Sequence, residues 1–165
     1  MKRLPLLTLA AAALLIAPAC KKDQPAPQPT ALTTEQQLAD KIWAMTSATP
    51  SPSLQTTNGT TVTDVFPYLP SCTQDDTQQF VTGGVFKADE GLTKCEDKDP
   101  QTVAGTWTSA TTGANTTLTV VISGTTLHFK VLSVSDTNLQ LSTQDDFFHI
   151  GTGTSVTYTL TFKKK

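Results

Sequence analysis

The sequence predicts an all-β protein: an eight-stranded antiparallel up-and-down barrel preceded by a short N-terminal helix. Three observations carry that expectation. Threonine fills 32 of the 165 positions, and a β-branched side chain, stiff at χ1, suits a half-exposed pleated surface and disfavours a helix. The stretch "SVTYTLTF" sets Val156, Tyr158, Leu160 and Phe162 against Thr157, Thr159 and Thr161, a period of two with one apolar and one hydroxylic face. From residue 105 onward, turn segments punctuate strand-like runs so closely that neighbouring strands must run antiparallel.

Residues 1–19 form a separate object. Lys2 and Arg3 precede an apolar run too short to read as a full membrane span, which is the pattern of a secretory signal peptide. Ile16, Ala17, Pro18 and Ala19 lead into Cys20 and resemble the lipobox of bacterial lipoproteins, with Ala17 where leucine is most usual. The alternative is an ordinary secretory signal cut near Ala19. The lipobox resemblance implies cleavage before Cys20 and acylation of that residue, palmitate being one such chain, and two or more acyl chains hold a protein to a bilayer. By the usual sorting rule for such proteins, Lys21 after Cys20 favours the outer membrane, leaving periplasmic or surface display open. Residues 20–33 then carry the lipidated cysteine and a tether in which Pro25, Pro27 and Pro29 keep the chain extended. The barrel domain is expected over 34–165. The formal charge of −2 gives no electrostatic footprint for nucleic acid.

With Cys20 assigned to lipid, Cys72 and Cys95 remain. An even pair in an oxidising compartment points to a disulfide. A structural zinc site wants four ligands at short spacing, and His128 and His149 lie far along the chain. A catalytic thiol wants a base and an electropositive setting, whereas Cys72 is followed by Asp75 and Asp76.

The elements follow in order. Thr33 or Thr34, with Gln36 or Gln37 three residues on, caps a short helix, and Leu38 and Ile42, four apart, are expected to face the barrel. "IWAMTSATP" reads as a first strand ending at Pro50. Residues 50–60 read as a loop with Asn58-Gly59 turn chemistry, and the two prolines of "TVTDVFPYLP" restrict any strand there to a short edge piece. "TQQFVTGGVFKADEG" reads as a hairpin turning at Gly83-Gly84. Strands follow near 105–110, 116–122, 125–134 and 138–143, and "SVTYTLTF" closes the set. Eight such strands close on themselves and hide their edges; an open two-layer sandwich is the alternative.

These segments together resemble the bacterial lipocalin-like lipoproteins, small exported relatives of the lipocalin and fatty-acid-binding barrels. Trp43 in "DKIWAMTSATP" takes the place of the first-strand tryptophan, although Lys41 stands where the family has glycine. "LPSCTQDDTQQFVTGGVF", Cys95, "GTWTS", "LSVSDTNLQLS" and "YTLTFKKK" follow in the family's order, over roughly 38–165. The resemblance implies the barrel fold, the lipid anchor and, by analogy, binding of a small apolar ligand.

Trp43, Trp107, Phe147, Phe148 and Tyr158 are the candidate ligand-binding residues, with Phe147 or Phe148 at the barrel mouth. A filled barrel, in which these aromatics are core, stands beside that reading. Asp75, Asp76, Asp145 and Asp146 lack the alternating spacing of a calcium loop and read as solvated turn residues bonding nearby backbone. His128, between Leu127 and Phe129, is expected to point outward. No acid, base and nucleophile set stands out, so no catalytic residue, metal or cofactor is expected. The functional expectation is a membrane-anchored carrier of a small hydrophobic ligand. The alternative is a plugged barrel whose loops contact an envelope protein.

Overall fold

A capping box begins the folded chain. The Gln36 backbone N–H donates to the Thr33 hydroxyl (3.2 Å), and the Thr33 N–H donates to the Gln36 side chain (2.9 Å). The reciprocal pair satisfies donors that a helix start leaves free and fixes α1 (Thr34–Leu38). The computed structural model describes residues 32–145, 148 and 156–165. Cys20, Asp146, Phe147 and His149 lie outside the described residues.

The helix ends by burying Leu38 completely, and Asp40, with φ 59°, turns the chain into β1 (Ile42–Ser51). Here the periodicity changes from 3.6 to 2. The expectation that Ile42 faces the barrel with Leu38 is therefore corrected: Ile42 is 45% exposed, and Trp43, its neighbour, is fully buried. A short hairpin follows, β2 (Leu54–Gln55) against β3 (Thr61–Val62), then a 3₁₀ turn over Phe66–Tyr68 and α2 (Ser71–Gln74). The remaining strands are β4 (Thr77–Val81), β5 (Val85–Asp89), β6 (Thr102–Thr112), β7 (Asn115–Ile122), β8 (Thr125–Val134), β9 (Asn138–Thr143) and β10 (Thr157–Lys164).

The barrel is closed and runs β1-β10-β9-β8-β7-β6-β5-β4. Every pairing is antiparallel. Apart from β1, neighbours in space are neighbours in sequence, as short turns require. β1 supplies the closure: Trp43 faces Lys164 of β10 on one side and Gln78 of β4 on the other. This pairing excludes the open sandwich. Bulges between Met45 and Ser47, and between Val131 and Ser133, add local twist and bend, as bulges do.

The interior is filled where the aromatics meet. Phe80 stands edge-on to Phe86 (centroids 5.3 Å apart) and to Trp107 (5.4 Å), the arrangement that ring quadrupoles favour. Tyr158, Leu160 and Phe162 alternate inward on β10, opposite Thr143, Leu141 and Leu139 of β9. Both buried indoles find backbone acceptors: Trp43 Nε1 donates to the Leu38 carbonyl (3.2 Å) and Trp107 Nε1 to that of Val81 (2.9 Å). Asp40 ties α1 to the β4–β5 turn by accepting from the Thr82 N–H (2.9 Å) and hydroxyl (2.6 Å). The helix thus stoppers one end of the barrel.

At Gly105, β6 and β7 leave no room for a side chain. A Cβ there would lie 2.2 Å from the Val121 carbonyl oxygen and 3.0 Å from the Ile122 Cβ, so the strands must shift to admit any side chain. We expect Gly105→Ala to cost about 1–3 kcal/mol, as overpacking does, read as a lowered urea midpoint at unchanged m-value.

Candidate functional site

The end away from α1 carries the long connections, and four fastenings organise them. The first is covalent. Cys72, on α2, is joined to Cys95 in the β5–β6 connection, with the Cα atoms 5.2 Å apart. The second is Asp75, whose carboxylate accepts from the backbone N–H groups of Leu92 (2.7 Å) and Thr93 (3.0 Å) and from the Thr93 hydroxyl (2.8 Å). Gly91 fits beside it because a Cβ there would meet the Asp75 carbonyl at 2.4 Å. The third is Asp89, which accepts from the Thr102 hydroxyl (2.6 Å) and the Gly91 N–H (3.0 Å). The fourth is Asp64, which accepts from the Ala48 N–H (2.8 Å) and the Phe66 N–H (3.0 Å), while the Val65 N–H returns a bond to the Ala48 carbonyl (2.9 Å). The β3–α2 connection is thereby held on β1.

This fastening leaves an apolar cleft of about 510 Å³ between the β2–β3 hairpin and the 3₁₀ turn. Val62, Val65 and Val156 are its most buried lining residues, with half-buried Leu54 and Leu69 beside them and Tyr68 among the exposed residues of its rim. The volume lies within the range of small-molecule sites. A second cavity, about 310 Å³, lies between Met45, Leu69, Pro70, Thr73, Asp76, Gln78 and Phe148.

Asp75 and Asp76 are adjacent but differ sharply. Asp75 is held below the usual carboxylate range, first by the Thr93 hydroxyl and then by the Leu92 and Thr93 N–H groups, against some desolvation. Asp89 is also lowered, chiefly by the Thr102 hydroxyl. Asp76 is pushed up to about 7, first by burial, then by the charges of Glu90, Asp75 and Asp89, with Lys165 opposing. Among the described residues, its buried Oδ1 has no hydrogen-bond partner. The expectation of a solvated turn residue suits Asp75 and is corrected for Asp76. Asp145 accepts from the His128 backbone N–H, and its carboxylate lies 3.3 Å from His128 Nδ1 in a largely exposed pair. His128 points outward as expected. Among the described residues, no three His, Cys, Asp or Glu side chains converge as a metal centre needs.

The candidate aromatics divide. Trp43, Trp107 and Tyr158 are buried in the core and line neither cavity. Phe148 is half-buried, stands edge-on to Tyr158 at 5.1 Å, and walls the second cavity. Phe147 is outside the described residues. The cleft itself escaped the sequence reading because its wall is aliphatic and sits in a segment dominated by loop chemistry. The alternation of "TVTDV" was the available signal.

The architecture is that of a closed eight-stranded antiparallel barrel with a stoppered end and a fastened mouth. The chain matches no family model, no curated protein and no solved structure.

Two outcomes are expected. The Cys72–Cys95 bond closes 24 residues of chain, with a sequence separation of 23, worth about 3–3.5 kcal/mol by loop entropy; the Cys72→Ala, Cys95→Ala double variant should lose that amount in urea unfolding. Second, Asp76 binds its proton more tightly folded than unfolded, so its contribution falls as pH rises from about 4 to about 7 and is flat above. Asp76→Asn should remove that slope and raise the thermal midpoint at pH 8, measured by circular dichroism. Asp75 and Asp89 act oppositely and lose their contribution as pH falls below the ordinary value of 3.8.

Proposed function

We propose that the protein is a lipocalin-like binding module of the bacterial cell envelope, anchored through lipid on Cys20 and holding a small apolar ligand in its mouth cleft. The observation that carries the reading is the 510 Å³ cleft walled by Leu54, Val62, Val65, Leu69 and Val156. Apolar area buried there contributes about 25 cal/mol per Å², enough to hold a short acyl chain or similar molecule without a salt bridge. The core below is filled by Trp43, Trp107 and Tyr158, so the ligand sits at the mouth.

The signal-like residues 1–19, the lipobox-like run into Cys20 and the proline tether support placement on a membrane, the outer membrane by the Lys21 rule, with no nucleic-acid partner. A second reading is a plugged barrel whose loops contact an envelope protein. Leu92, 93% exposed, and Tyr68, 68% exposed, favour it, because both stand on the fastened loops and present apolar surface to solvent.

Native mass spectrometry of the protein purified from its own envelope separates the two. The binding reading expects an added small-molecule mass that leaves on denaturation and is lost in Leu54→Arg, a substitution that puts a charge into the cleft. A bare mass that stays bare after exposure to envelope lipid extract contradicts it and favours the loop-contact reading. Labelling with radioactive palmitate should mark the wild-type chain and not Cys20→Ser; equal labelling of both would remove the anchor from the account.

A further inference from the structure

The mouth cleft and the loops around it differ in charge, and the difference narrows what the cleft takes. Beside its aliphatic walls, its polar side chains are Ser53, Gln55, Thr56 and Tyr68. Among the described residues, none that lines it carries a charge. Thr56 turns its hydroxyl on its own hairpin, accepting from the Thr60 N–H (3.0 Å) and donating to Asn58. Gln55 donates from Nε2 to the Thr61 hydroxyl (2.9 Å), and its side-chain carbonyl is an acceptor besides. Ser53, Gln55 and Tyr68 are all exposed, so the cleft meets water through neutral hydroxyl and amide groups.

The surroundings are acidic. Residues 52–76, which build the cleft side of the mouth, hold Asp64, Asp75 and Asp76 and no lysine or arginine. Residues 89–101, joined to them by the Cys72–Cys95 bond, hold five acids against Lys94 and Lys98. Lys94 donates to the Asp97 and Asp99 carbonyls of its own loop. Asp64 stands between the wall residues Val62 and Val65 in sequence, and its carboxylate is fixed on the Ala48 and Phe66 N–H groups. A carboxylate brought to this rim loses hydration, finds no cation in the lining and meets acids of its own sign. An alcohol or ester loses far less and pairs with the neutral groups already there.

We propose that the mouth cleft selects an uncharged amphiphile, an alcohol, ester or amide on an apolar chain, over the fatty-acid anion of the same length. The chain lies on Leu54, Val62, Val65, Leu69 and Val156, and the neutral head sits at Ser53, Gln55 and Tyr68. The assignment rests on the mouth-cleft reading and goes beyond it, because burial of the chain alone would hold acid and alcohol alike.

The test uses the full chain with its disulfide intact and two probes of matched chain, 1-decanol and decanoate, followed by methyl NMR at about pH 7.5. Decanol should bind at least fivefold more tightly than decanoate at about 20 mM salt. The ratio should shrink at about 500 mM salt, where exposed acids are screened. Gln55→Lys, which puts a cation on the exposed rim, should tighten decanoate at least fivefold and leave decanol within twofold. Decanoate binding as tightly as decanol to the wild type, a ratio that salt leaves unchanged, or a ratio that Gln55→Lys leaves unchanged overturns the proposal. In each of those cases both probes still shift Val62 and Val65, so the mouth cleft stands as a site. Binding of neither probe removes the mouth-cleft reading and this assignment with it, so the two failures are distinguishable.

Discussion

β1 is the constraint on which the rest of the structure depends. It bonds to β10 over most of its length and to β4 over Ile42–Ala44. Among the described residues, no other strand joins elements so distant in sequence. Without that double pairing the meander would be an open sheet with two long edges, each a template for aggregation. With it, one inward face becomes a closed interior, and the Lys165 N–H donating to the Ile42 carbonyl at 2.9 Å continues the seam past the end of β10. The bulge between Met45 and Ser47 bends the strand so that one segment can serve both neighbours.

Both ends of the molecule hang on the same strand. At its start, Trp43 receives the stopper helix through the Leu38 carbonyl. Further along, Ala48 bonds to Asp64 and Val65 through its own N–H and carbonyl, and this seats the cleft wall. The disulfide and the Asp75 and Asp89 bonds then fasten the remaining mouth loops to one another. A polar division follows. One end is sealed by aromatic and aliphatic packing. The other is held open by directional bonds, which fix loops without filling the space between them. Two of the fastening acids, Asp75 and Asp89, add to the burial and the Glu90 charge that raise the Asp76 pKa.

The features legible in the sequence were those written in a single period or a single motif. "SVTYTLTF" gave the inward face of β10, "TEQQ" after Thr33 gave the capping box, and the even cysteine pair gave the bridge. The features that were not legible depended on a one-residue choice. Ile42 and Trp43 are both large and apolar, and only the switch from helix to strand at Asp40 decides which points inward. Asp75 and Asp76 read identically as turn acids, yet Asp75, at the end of α2, bonds the loop N–H groups of Leu92 and Thr93 while Asp76, next before β4, is partly buried. β6 begins at Thr102, earlier than the strand signal near 105, because Gly105 interrupts the side-chain pattern where β7 comes too close for a Cβ. The aromatics drew attention as ligand residues, but large rings bury most area in the core, and the cleft fell to the smaller aliphatics of the loops.

Because the barrel below is filled, the proposed ligand site is the mouth cleft. NMR of the ¹⁵N-labelled, methyl-labelled protein titrated with lauric acid tests it most directly. Saturable shifts are expected at Leu54, Val62, Val65, Leu69 and Val156, with the indole N–H signals of Trp43 and Trp107 unmoved. Shifts at the two indoles with a silent mouth would place the ligand inside the barrel and overturn the mouth site.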